Sequence, residues 1–161
     1  MKPRLLVLSR YSRLGASSRL RTLQYKPWLE KAGFKVEYAT FFDDDYLKHL
    51  YTKKKSNVYS LKYYLKRLIL LKQRFQFDII WIEYEALPWV PWFIERALLP
   101  KSVPIVCDYD DAIFHRYDQH RFLLVQKLLG TKIDNIMKSS NLVTAGNEYL
   151  ANRARCADTK N

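Results

Sequence analysis

Val103–His115, VPIVCDYDDAIFH, decides how the rest of the chain is read. An apolar run, Val103–Cys107, stops abruptly at Asp108, Tyr109, Asp110 and Asp111. A short apolar run closed by polar residues reads as a buried strand leaving a sheet. In an open α/β sheet, ligands sit beyond the carboxyl ends of the strands. The acidic corner therefore lies where a binding site is expected.

Working upstream, DIIWIEY at Asp78–Tyr84 is a second nearly continuous apolar run, suited to a parallel strand covered on both faces. Leu5–Ser9 opens the chain as another short apolar run, and Lys35–Phe41 alternates as a strand. Between these two, Arg19–Ala32 reads as a helix, capped by Ser17 or Ser18, broken or kinked at Pro27 and stopped by Gly33. Asp43–Asp45 reads as a helix start, followed by a polar, irregular or short helical piece over Tyr46–Lys55. Leu61–Phe75 is a basic amphipathic helix whose Leu61, Leu65, Leu68 and Ile69 are expected to pack on the sheet; the alternative is an anionic bilayer. Leu87–Leu99 is expected as a helix with Pro88 and Pro91 in its opening turns, its Trp89, Trp92 and Phe93 facing the core rather than a lipid or sugar ring.

Downstream, Phe114–Gln119 reads as a polar loop and Arg121–Ser140 as one long helix that Gly130 interrupts without ending. Leu142–Ala145 is a fifth strand, ended by Gly146–Asn147, and Glu148–Arg155 begins another helix. Alternating strands and helices of these lengths predict one α/β domain over residues 1–161: a Rossmann-like three-layer domain with a mostly parallel sheet.

Composition narrows the function classes. Hydrophobic residues make up 48% of the 161 residues, enough for a proper core, which excludes a disordered chain. The net charge of +12 favours acidic partners: phosphorylated ligands, an anionic membrane surface or nucleic acid. No nucleic-acid signature accompanies it, so none is expected as partner. Cys107 and Cys156 form no CxxC pair and have no histidine at metal-ligand spacing, which argues against zinc; Cys107 is expected in the core. Nothing resembles a signal peptide or membrane span, so the expected location is cytoplasmic, with the inner membrane face as the peripheral option.

Two stretches carry the candidate chemistry. RYSRLGASSRLR at Arg10–Arg21 joins the first strand to the first helix. Its glycine lets backbone approach a ligand, and amides at a helix start together with four arginines form a cradle suited to phosphate. It is neither a GxGxxG nor a P-loop sequence. Asp108-Tyr109-Asp110 matches DxD, which can share a divalent cation; contact with sugar hydroxyls is the preferred reading, and capping of the downstream helix the plain one. His115 is a candidate acid–base or phosphate-contacting group.

LGASSRLR with its helix ending at Gly33, DIIWIEY, VCDYDDAIFHRY and VTAGNEYLANRA occur in that order. Together they resemble the N-terminal domain of the GT-B glycosyltransferases of the large retaining group often called family 4, over nearly the whole chain. The resemblance implies one half of a two-domain architecture. This half would hold a sugar or lipid-linked acceptor. A C-terminal domain, absent from this chain, would hold the nucleotide-sugar donor and supply a paired-glutamate motif. Carried over by position, Gly15, Ala16, Ser17 and Arg19 would form the loop near the donor diphosphate. Asp110, Asp111 and His115 would line the acceptor side, while Asn147 and Glu148 would start the helix leading to the cleft. No catalytic residue is assigned. The resemblance implies no metal and no cofactor beyond the nucleotide sugar as donor substrate, and the domain alone should transfer nothing. Two competing readings remain: a basic Rossmann-like module binding anionic membrane or nucleic acid, and a self-contained phosphatase using Asp108 and Asp110.

Overall fold

The structure, a computed structural model, describes residues 2–51 and 58–158. Five parallel strands form one sheet in the order β2-β1-β3-β4-β5: β1 Arg4–Tyr11, β2 Lys35–Phe42, β3 Ile79–Glu83, β4 Ile105–Tyr109 and β5 Leu142–Ala145. The strands fall close to the expected runs, but β4 starts at Ile105 rather than Val103 and takes in Asp108 and Tyr109, so the first two residues of the expected polar corner are buried strand. β1 is buried from Leu5 to Arg10, as a central strand covered on both faces should be. β2, at the edge, is buried only at its last two residues. The expected Rossmann-like layers are present.

In chain order the helices are α1 Ala16–Arg21, α2 Lys26–Lys31, α3 Asp44–Tyr51, α4 Val58–Lys72, α5 Trp92–Leu98, α6 His115–Asp118, α7 Leu123–Leu129, α8 Lys132–Ser139 and α9 Glu148–Asp158. Leu6, Leu8, Ile80, Ile82 and Cys107 join Leu71, Leu99, Ile133 and Ile136 in one cluster, so α4, α5 and α8 cover that face of the sheet. Burial pushes the Cys107 thiol up to about 12, leaving it an inert core residue. α1 and α2 lie against β1 and β2.

Several expected helices are shorter or turned differently. The first splits at Thr22 into α1, a 3-10 turn at Leu23–Tyr25 and α2, with Pro27 in the opening turn of α2 rather than at the break. Gly33 does stop it, at φ +100°. Asp43 caps α3, its carboxylate accepting from the Tyr46 amide at 3.0 Å, as expected of an acidic helix start. Lys53–Lys55 lie outside the described residues.

On α4 the expected packing face is wrong. Tyr63, Arg67 and Leu71 point inward, while Leu61, Leu65 and Ile69 are exposed; of the four expected residues only Leu68 packs against the core. Polar atoms made the difference: Arg67 reaches the Ser9 and Ala39 carbonyls, and the Tyr63 hydroxyl reaches Asp43. α5 begins only at Trp92, because residues 84–91 form a tightly bonded loop. Within and beside it, Trp89 and Phe93 are exposed, not core. The polar loop expected at Phe114–Gln119 contains α6. The long helix expected over Arg121–Ser140 is two helices, α7 and α8, joined at Gly130–Thr131. α8 buries Ile133, Ile136 and Met137, whereas Leu123, Leu124 and Leu128 of α7 face outward.

Candidate functional site

Strand order fixes where the site can be. β1 connects to β2 on one side and β3 to β4 on the other, so the chain reverses its winding between β1 and β3. A crevice is expected at the carboxyl end of that pair. Register then sets the row of side chains there: Glu83 pairs with Asp108, and Asp108 with Thr144.

The β1–α1 turn closes over this row. Gly15 is buried, and a Cβ there would lie 2.4 Å from the Tyr11 Cβ, so only glycine fits so tight a return. Neither Ser17 nor Ser18 caps the helix; Gly15 occupies the N-cap position without a side-chain bond. Both hydroxyls reach the carboxyl ends of β3 and β4 instead. Ser18 Oγ accepts from the Tyr11 amide at 3.0 Å and donates to Glu83 at 2.7 Å. Ser17 Oγ donates to Asp110 Oδ2 at 2.5 Å and lies 3.2 Å from the Tyr84 hydroxyl. Tyr84 in turn donates to Asp110 Oδ1. The turn after β1 and the acidic corner after β4 are thus joined side chain to side chain.

Both oxygens of Asp108 are already engaged. Arg21 grips it bidentately, Nε to Oδ2 at 2.8 Å and Nη2 to Oδ1 at 2.5 Å, and Thr144 donates to Oδ1. At 2% exposure it is not free to attack a phosphate or share a metal with Asp110. No cluster of metal-ligating side chains occurs among the described residues. Asp111 is exposed and accepts only from the adjacent Ala112 amide at 2.8 Å, so it does not cap the downstream helix as the plain reading expected: α6 begins after Phe114 with no side-chain cap.

The remaining expected residues divide. Ala16 is exposed at the start of α1. Arg19 is the first residue of α1 whose amide bonds back, to the Gly15 carbonyl at 3.0 Å; its side chain turns away to the Arg13 carbonyl at 3.2 Å. His115 is half-buried: Nδ1 lies 3.0 Å from Asp118 Oδ1, and Nε2 lies 2.7 Å from the Tyr149 hydroxyl. A carboxylate only accepts, so in the neutral ring Nδ1 carries the proton and Nε2 receives the phenol. Arg153 holds Asp118 from behind, at 3.2 Å, and pairs with Asp134 at 2.6 Å. Asn147 caps α9 through Leu150 at 3.0 Å, and Glu148 pairs with Arg155.

Beneath the crevice lies a buried ionic cluster that residue patterns did not single out. Lys132 Nζ, on α8, donates to Glu85 at 2.6 Å, to Glu95 at 2.9 Å and to the Leu87 carbonyl at 2.6 Å. Glu85 also accepts from Tyr117 at 2.8 Å and pairs with Arg10 at 3.5 Å. Glu95 accepts the Ala86 and Leu87 amides at 2.8 and 3.3 Å. These bonds hold the 84–91 loop, which contains two non-glycine residues at positive φ, Tyr84 at 65° and Trp89 at 61°. Burial raises the carboxyls of Glu83 and Glu95 above their ordinary range, against the pull of their donors. One signal was available in sequence. Lys132 falls on the apolar stripe of α8 with Ile133, Ile136 and Met137, a position a lysine occupies only with buried acids opposite.

No protein-family model and no curated protein sequence matches the chain.

Proposed function

We propose that the chain is the acceptor-binding half of a glycosyltransferase that moves a sugar from a nucleotide-sugar donor. The observation that supports this most is the Ser17–Asp110–Tyr84 cluster at the strand-order reversal. A carboxylate flanked by two hydroxyls, half-buried at a crevice, suits exchange of its bonds for those of a polyol. Each carboxylate oxygen can receive a ligand hydroxyl, and Ser17 and Tyr84 can then serve the ligand's oxygens. In this reading Asp110 orients the acceptor, and His115 Nε2 accepts from a second hydroxyl once Tyr149 gives way. The turn over Gly15–Ser17 faces the donor diphosphate, with first-turn amides that a helix start leaves open. A second domain carrying the nucleotide sugar completes the site, so this half alone transfers nothing. Asp108 and Glu83 are positioning groups. They fix Arg21 and Ser18, and with them α1, on the rim.

The test is transfer of radiolabelled sugar by the protein expressed from its full gene, supplied with a panel of nucleotide sugars and cell lipid extract. Transfer that falls at least about a hundredfold in Asp110→Ala, an effect of the size a lost substrate-orienting contact has, supports the reading. Transfer unaffected by that change contradicts it.

A further inference from the structure

His115 stands at the end of a line of polar and charged side chains that crosses three helices. His115 and Asp118 are on α6, Asp134 is on α8, and Tyr149 and Arg153 are on α9. Asp118 Oδ1 lies 3.0 Å from Nδ1 of the imidazole, and its Oδ2 accepts from Arg153 Nη2 at 3.2 Å. Arg153 is fixed in turn by a bidentate pair with Asp134, at 2.6 and 2.9 Å. Phe114 is buried beside them. Its ring meets the His115 ring at 4.5 Å and the Tyr149 ring at 5.9 Å between centroids, and the Arg153 guanidinium at 4.5 Å. Packing on Phe114 sets the plane of the imidazole. It does not decide which nitrogen carries the proton.

Hydrogen bonding decides that. The Tyr149 hydroxyl, 2.7 Å from Nε2, donates or accepts, so it fits either tautomer. A carboxylate only accepts, so Asp118 fits the neutral ring only when Nδ1 carries the proton. Nε2 is then an acceptor, facing a tyrosine that is itself exposed. Arg153 adds the second constraint. Its pair with Asp134 already joins α9 to α8. Its further reach to the outer oxygen of Asp118 fixes a carboxylate whose inner oxygen is on the imidazole.

We infer that Asp118 and Arg153 are positioning residues for His115. Asp118 holds the ring with its proton on Nδ1. Arg153 holds Asp118. Nε2 is thereby kept as an acceptor for a ligand hydroxyl that displaces Tyr149. That this ligand is a sugar acceptor rests on the glycosyltransferase reading; the tautomer does not.

The test is proton–nitrogen correlation NMR of the nitrogen-labelled imidazoles in the 161-residue chain, without ligand. The pH is set well above the ordinary imidazole value of about 6.5. Protonated and bare ring nitrogens resonate far apart, so the tautomer is read directly, with His115→Gln assigning the signals. The parent should favour Nδ1–H at least about tenfold, the ratio that a hydrogen bond to a charged group sustains. Asp118→Asn should reverse the preference. Arg153 can only donate, so it keeps the amide oxygen and turns the amide N–H toward Nδ1, which must then be bare. Asp118→Asn/Arg153→Met frees that amide to turn its oxygen to the ring and should restore Nδ1–H. A merely structural role predicts neither the reversal nor the rescue. Asp118→Asn is nearly isosteric at a half-buried site, so its circular dichroism should match the parent, and that comparison decides the role of Asp118 even if Arg153→Met unfolds the chain. A parent ring protonated at Nε2 overturns the proposal, as does an Asp118→Asn ring still protonated at Nδ1. A reversal that persists in a folded double variant overturns the role of Arg153. Failure of the acceptor reading would show instead as absent glycoside binding with the tautomer unchanged.

Discussion

Removing the Arg21 guanidinium tests how the rim is built. The Asp108 carboxylate is 2% exposed and has three donor contacts, two from Arg21 and one from Thr144. Breaking a fully buried ion pair by deleting one partner costs about 3–5 kcal/mol. The Arg21 side chain is 29% exposed, so water reaches part of the space it leaves, and Thr144 still donates. Both reduce the penalty, and Arg21→Ala should cost about 2 kcal/mol, the middle of the range of about 1–3 kcal/mol for an unpaired buried acceptor. With a urea slope of about 2 kcal/mol per molar for a chain of this size, the midpoint should fall by about 1 M. Arg21→Lys keeps the charge but not the bidentate fork and should recover about half of the loss. Paired with Asp108→Asn in a double-mutant cycle, the coupling should be about 1–2 kcal/mol. A loss below about 0.5 kcal/mol for Arg21→Ala, the range of ordinary surface changes, refutes the claim that this pair fastens α1 to β4.

Three further outcomes follow from the same geometry. Lys132→Met strands Glu85 and Glu95 without their cation and should cost about 3–5 kcal/mol by urea denaturation; a near-neutral result would mean the cluster is open to water. Gly15→Ala forces a Cβ against the root of Tyr11, which cannot swing aside, and should cost about 1–3 kcal/mol on the same measurement. Burial holds the Glu83 carboxyl above its ordinary 4.5, so the folded chain binds the proton more tightly than the unfolded one. The stability this gives is full below pH 4.5 and is lost as pH rises through the folded value. Glu83→Gln should flatten that limb in a series of urea midpoints against pH, leaving the part due to Glu95; an unchanged slope would rule Glu83 out as its source.

The sheet was legible because parallel strands buried on both faces show as continuous apolar runs, and the run of β4 leads into a recognisable acidic corner at Asp110–Asp111. Helices were less legible. Apolar spacing alone put Leu61, Leu65 and Ile69 on the inner face of α4, but Arg67 turned the helix by reaching two backbone carbonyls. Gly130 looked tolerable inside a helix, yet the chain used it to separate an outward α7 from an inward α8. For the site, Gly15 and Asp110 were readable as turn and acid. That Ser17 would bridge them instead of capping α1 was not, because capping and long-range donation use the same hydroxyl. Asp108 and Asp110 are equal in a DxD pattern. Only the strand register, which sets Asp108 beside Thr144 and under Arg21, separates the structural acid from the available one.

The central claim is that a polyol is held at the crevice by Asp110, Ser17 and Tyr84. It is tested most directly by backbone amide NMR of the labelled chain titrated with a panel of methyl glycosides. Saturable shifts at Ser17, Tyr84, Asp110 and His115 for at least one glycoside, absent in Asp110→Ala, are the predicted result. Shifts confined to other surfaces, or unchanged by Asp110→Ala, would contradict it.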